Sequence, residues 1–128
     1  MSAGSVSSLH LIVEVKGKVK MDCELKRHLS PKTVGTILRS LPLEGNAHFL
    51  GQSIVYFETM VSSGIERQRK EFKKGDVAFS PGGGSICFFS SDVVTTKAMT
   101  PIGKLSGNTE ELSLIKPGDV VLLYQATG

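Results

Sequence analysis

His48, Gln52 and Tyr56 fall close together in the chain, on either side of Gly51. An imidazole, an amide and a phenol can donate and accept hydrogen bonds around a bound molecule, and the Tyr56 ring adds an apolar wall. The same residues also suit a half-exposed strand histidine, a turn glutamine and a core tyrosine, and both readings stay open. Phe79 and Phe88 are core residues that can also line a pocket, which completes a candidate ligand-binding set of His48, Gln52, Tyr56, Phe79 and Phe88. A second group is cationic. Between Glu66 and Lys74 lie Arg67, Arg69, Lys70, Lys73 and Lys74, against only Glu66 and Glu71. This segment reads either as a solvated surface or as a rim facing an anion. Arg67, Arg69 and His48 are the candidates for a catalytic role, the arginines as cations and the imidazole as acid or base.

Other chemistries find no pattern. His10, His28 and His48 show no metal-ligand spacing with one another or with Cys23 and Cys87, so neither metal nor cofactor is expected. Pro81-Gly82-Gly83-Gly84 offers backbone N–H groups to an anion but lacks the Gly-x-x-x-x-Gly-Lys pattern and the following helix of a P-loop. No Gly-x-Ser-x-Gly elbow or pair of catalytic carboxylates stands out.

The elements that must position these groups are short. In 128 residues, 40% hydrophobic and 21% charged, there is room for one domain with its own core. That domain is expected over 9–128, after a disordered start at 1–8. A net charge of +3 is too small to argue for nucleic acid. No apolar run approaches the ~18 residues that span a bilayer, and the first residues lack a signal-peptide pattern. A cytoplasmic protein with two buried thiols is the expectation, and neither nucleic acid nor membrane is an expected partner.

Leu9 to Val15 and Val19 to Leu25 alternate apolar and polar residues around Gly17, the pattern of a β-hairpin with one wet face. Ser30-Pro31 opens a helix, serine as N-cap and proline at the first helical position. Val34, Ile37, Leu38 and Leu41 form its apolar stripe, and Pro42 stops it. Strands are expected at Ala47 to Leu50 and Ser53 to Phe57, then a surface excursion from Glu58 to Lys73. The stretch Gly75 to Phe89 reads as strand, glycine loop and strand; Ile86-Cys87-Phe88-Phe89 is apolar on both parities, so it should be covered on both faces. A polar linker over Ser90 to Lys97, a strand around Ile102 to Leu105, a short helix capped by Asn108 and a last strand from Val120 to Tyr124 complete the chain. Eight strands, two helices and no βαβ alternation predict a mainly β protein, a closed eight-stranded barrel capped by its helices.

The segment Ser30-Pro31-Lys32-Thr33-Val34-Gly35-Thr36-Ile37-Leu38 resembles the opening of the first helix in cyclophilins. Ile102-Gly103-Lys104-Leu105 with Leu112-Ser113-Leu114-Ile115 resembles their strand–helix unit, and Gly84-Ser85-Ile86-Cys87-Phe88-Phe89 their Gly-Ser-Gln-Phe-Phe strand. Gly75 to Phe89 is most similar to the core motif of a branch of small prokaryotic cyclophilin-like proteins of undefined function. The resemblance implies the cyclophilin-type barrel.

Cyclophilins rotate X–Pro bonds, and the resemblance implies where that chemistry should sit. The barrier is ~18–20 kcal/mol, and lowering it needs a cation near the prolyl nitrogen beside an aromatic pocket. The family's Phe-His-Arg strand corresponds to Ala47-His48-Phe49-Leu50, which has no arginine; the glutamine of Gly-Ser-Gln-Phe-Phe is replaced by Ile86 or Cys87, and the chain has no tryptophan. The expectation is therefore a ligand- or peptide-binding module for a small molecule or a proline-containing segment. The alternatives are a prolyl isomerase rebuilt around Arg67 or Arg69, and a small-molecule enzyme acting on an anionic substrate.

Overall fold

The computed structural model describes residues 8–107 and 109–126. The first hairpin forms as its alternation requires. β1 (Ser8–Val15) and β2 (Val19–Lys26) pair antiparallel, with Leu11 opposite Cys23 and Val13 opposite Met21. Leu11, Val13, Val15, Met21, Cys23 and Leu25 all point into the main core. α1 (Pro31–Ser40) follows and buries Val34 and Ile37 in the same core, with Leu38 and Leu41 packed at its margin. Then come β3 (Leu43–Asn46), β4 (His48–Leu50), β5 (Ile54–Glu58), β6 (Arg69–Phe72), β7 (Asp76–Ser80), β8 (Ser85–Phe89) and β9 (Val93–Ser106). A 3-10 helix (Thr109–Leu114) and β10 (Val120–Gln125) end the chain. Leu112 and Ile115 close the main core beside it.

The strands make one curved sheet in the order β3-β10-β1-β2-β9-β7-β8-β5-β4, with β6 attached to β9 off that path. The fold is mainly β as expected, but the closed eight-stranded barrel needs correcting: among the described residues there are ten strands, and hydrogen bonds do not close the sheet. The two ends of the path, β3 and β4, are consecutive in sequence. β3 pairs with β10 and β4 with β5, so one strand changes partner at Ala47. There Ala47 N–H donates to the Asp119 carbonyl at 2.7 Å, and its own carbonyl accepts from Gly118 N–H at 2.9 Å. The covalent chain thus joins the sheet ends where a ladder would otherwise run. Gly45 lets β3 lie hard against β5, since a Cβ there would fall 2.9 Å from the Glu58 carbonyl oxygen and 3.0 Å from Phe57 Cδ2.

β8 has the two covered faces that its composition demands. Ile86 and Phe88 belong to the main core inside the sheet, while Cys87 and Phe89 belong to a second cluster on the outside. The second cluster also holds Ile54, Ala78, Met99 and Phe72, with Tyr56 and Val93 at its margin. β6 supplies the cover: it pairs with the first part of β9, and the Phe72 ring stacks on Phe89 with centroids 4.5 Å apart.

β3 and β6 are the two strands absent from the expected eight. β3 has only four residues, one a glycine, directly after Pro42; β6 is three charged residues and Phe72. The expected linker over Ser90 to Lys97 is also corrected, since β9 begins at Val93. Pro101 interrupts the apolar pattern of that strand. The ladder tolerates it at a bulge, where Val77 pairs with Gly103 and Ala78 with Pro101. Residues 1–7 and the Asn108 cap lie outside the described residues; Ser8 already belongs to β1.

Where β2 crosses β9, a Cβ on Gly103 would fall 2.9 Å from Leu25 Cα and closer still to the Glu24 carbonyl oxygen. Backbone cannot yield as a side chain can. Gly103→Ala should lower the thermal midpoint by 10 °C or more (~3 kcal/mol). Gly82→Ala, where nothing lies within 4 Å, should leave the midpoint within about 3 °C.

Candidate functional site

The outer face of the sheet carries the arrangement with most chemical content. β6 runs into the turn Lys73-Lys74-Gly75, and β7 begins at Asp76, whose N–H donates to the Lys73 carbonyl at 2.9 Å. That turn folds the Asp76 carboxylate back under β6. Asp76 is 2% exposed, and a carboxylate so placed must be paired. Its Oδ2 accepts from Lys73 N–H at 2.8 Å and from Arg69 Nη2 at 3.3 Å, while Lys104 Nζ lies 3.9 Å from Oδ1. Arg69 is also held from below: its guanidinium carbon sits 5.0 Å from the centroid of the Phe72 ring. The Arg69 side chain nevertheless remains 45% exposed.

Arg69, Phe72, Lys73 and Asp76 line an open groove of about 640 Å³ along β6 and the start of β9. Arg69, Lys70 and Lys73 supply positive charge, and Phe72, Val93 and Val94 supply apolar surface. Two of the three acids there are already engaged. Asp76 is bound as above, and Asp92 Oδ1 accepts from Lys74 N–H at 2.8 Å. Glu71 is the third, on exposed β6. A fixed guanidinium beside apolar walls can bind a carboxylate that carries an apolar body. In the outer cluster that holds Phe72, burial pushes the Cys87 thiol up to about 12, which keeps it protonated. Among the described residues no group of three His, Cys, Asp or Glu is placed to hold a metal ion.

The sequence-derived candidates scatter. His48 and Tyr56 do come together: they are opposite in the β4–β5 register and their rings stack at 5.3 Å. His48 is exposed and Tyr56 half-buried at the margin of the outer cluster. Gln52 is an exposed turn residue whose carbonyl accepts from Ser90 Oγ at 3.4 Å. Phe79 and Phe88 are 0% and 1% exposed inside the main core, on the opposite face of the sheet from Tyr56. Arg67 is exposed in a left-handed backbone conformation, φ 43°. Of the two candidate arginines, Arg69 is the one set over the outer cluster. Sequence reasoning misses Asp76 and Phe72, and the one signal for Asp76 is an acid directly after a run of cations.

The excursion before β6 is tied down by Glu66. Ser30 precedes α1 but does not cap it with its side chain. Its hydroxyl lies instead 2.8 Å from the Pro101 carbonyl oxygen in the interior. Glu66 takes over the cap from a distant part of the chain: Oε1 accepts from Thr33 N–H at 2.8 Å and from Thr33 Oγ1 at 2.9 Å, and Oε2 from Lys32 N–H at 3.2 Å. Desolvation raises the Glu66 pKa, but the Thr33 and Lys32 donors and the Lys32 charge outweigh it, so the carboxyl titrates below its ordinary value. The stabilisation is therefore present above the ordinary glutamate range and is lost as pH falls through the lowered folded value. Glu66→Ala should cost about 1 kcal/mol in urea denaturation at pH 7. The gap to the wild type should narrow steadily below about pH 4.

Comparison with known proteins agrees with this architecture. A family model described as Cyclophilin-like matches residues 7–124. A hypothetical protein, AF2241 from Archaeoglobus fulgidus, has a solution structure that superposes with a TM-score of 0.80 at 25% identity, covering 94% of this chain and 96% of its own. McbB, solved in complex with tryptophan, superposes with a TM-score of 0.77 at 11% identity, over 92% of this chain and 45% of McbB. The second likeness is one of fold. No curated protein matches the chain.

Proposed function

The chain belongs to the cyclophilin-like family, and on that premise we propose that it is a non-catalytic binding module. Its groove along β6 holds a small organic acid, or a peptide segment that presents a carboxylate. The observation that carries this reading is the Arg69 guanidinium fixed between the Phe72 ring and Asp76 at an open groove. Such a group is preorganised for an anion, because Asp76 and Phe72 have already restricted its rotamers.

Prolyl isomerisation asks for something different, a cation beside an open aromatic pocket. Here the Phe72 ring is taken up by Phe89 and by Arg69 itself. A rebuilt isomerase remains the second reading, favoured by the presence of a guanidinium on an aromatic ring. A small-molecule enzyme using His48 as acid or base is favoured only by its stack with Tyr56. No helix among the described residues is long and apolar enough to cross a membrane. The free, buried Cys23 and Cys87 suit the reducing cytoplasm, where the proposal places the protein without nucleic acid or membrane as partner.

An NMR titration with 3-phenylpropionate and with its amide tests the reading. The acid should shift the amide signals of residues 69–72 and 93–94, the amide should not, and Arg69→Ala should weaken the acid at least about tenfold. The absence of any shift at millimolar acid contradicts a binding groove there. Exchange spectroscopy on an Ala-Pro peptide covers the other case: acceleration that Arg69→Ala abolishes would make the protein an isomerase.

A further inference from the structure

Three strands of the sheet, β3, β4 and β6, have an edge that pairs with no strand among the described residues, and the chain treats β6 and β4 in opposite ways. β6 pairs only with β9 and carries Arg69, Lys70 and Glu71. Charged side chains on an edge discourage pairing with another chain. β4 ends the hydrogen-bonded path on the other side of the sheet and carries none. No Asp, Glu, Lys or Arg occurs from Gly45 to Phe57. All three β4 residues are exposed, with Phe49 at 40% and Leu50 at 53%. β3, the other end of the path, is not available in this way, because Gly45 presses it against β5.

We propose that β4 is an interface between two copies of this chain, which join edge to edge as an antiparallel pair about a two-fold axis. The charge pattern selects that occupant. A two-fold places each residue near its own copy, so a charged strand would set like charges opposite one another, and an uncharged one avoids that cost. Centring the pair on Phe49 sets the two Phe49 side chains opposite each other and His48 opposite Leu50. The apolar residues now left in water on β4 are covered by the same strand of the other copy. A three-residue strand makes a small interface, so the dimer forms and dissociates with concentration.

Sedimentation equilibrium of the full chain from about 10 μM to 1 mM tests this, that range being where small interfaces associate. The mean mass should rise towards twice that of one chain. Phe49→Lys brings two ammonium groups together at the axis and should raise the dissociation constant at least about tenfold. Met60→Lys, at a residue 98% exposed elsewhere on the surface, should leave it unchanged. Leu50→Lys serves the same purpose should Phe49→Lys fail to fold. A single-chain mass throughout overturns the proposal, whether the edge is then bare or covered by a peptide or another protein. A dimer that both lysine variants leave intact overturns it as well.

Discussion

Strand β8 puts Phe88 and Phe89 on opposite faces of one sheet, and both are removed from water. A phenylalanine buried this way contributes about 1.5–3 kcal/mol, so neither face can be left bare. The interior covers Phe88. Nothing in a simple barrel covers Phe89, and the chain answers with β6, whose Phe72 lies flat on it. The rest of the outer face follows from that stacking. β6 ends at Phe72, so the turn after it must bring the chain back under the strand, and Asp76 arrives beneath Arg69 as a result. The groove, its fixed guanidinium and the buried carboxylate are consequences of shielding one aromatic ring.

The same layering explains the departure from a closed cylinder. β3 and β4 are one stretch of chain that serves two neighbours in turn, and the change at Ala47 brings the sheet's ends together without a continuous ladder. The main core stays sealed because α1 and the residues around the 3-10 helix contribute Val34, Ile37, Leu112 and Ile115 to it. Beyond Ala47, β4 is left with one neighbour. Incomplete closure and an available strand edge are therefore one property. The excursion is held in place by Glu66, which accepts from the first turn of α1, and by Thr59, whose N–H and hydroxyl both donate to the Gly84 carbonyl.

Elements whose pattern is set by burial were legible in the sequence. The β1–β2 alternation, the α1 stripe and the two-sided β8 each correspond to residues that reach the cores. Elements set by tertiary partners were not. β6 is a strand because Phe89 needs a cover, and three of its four residues are exposed. β9 crosses from one ladder to another, and the polar residues of its first half hid it. For the site, the cationic segment pointed to Arg69, but its partners Asp76 and Phe72 depend on a turn that no periodicity reveals. The resemblance to cyclophilins agrees with the family shown by comparison, while residue types and spacing pointed to His48 and Tyr56, which do stack, and to Phe79 and Phe88, which lie on the sheet's other face.

The contact between the Phe72 and Phe89 rings is the most direct point of attack on this account. Nuclear Overhauser spectra of the protein with labelled phenylalanine should show strong ring-to-ring cross-peaks between Phe72 and Phe89, as centroids 4.5 Å apart require. Their absence, with the Phe89 ring open to a soluble relaxation agent, would mean that β6 does not cover the outer face, and the groove built on it would not exist.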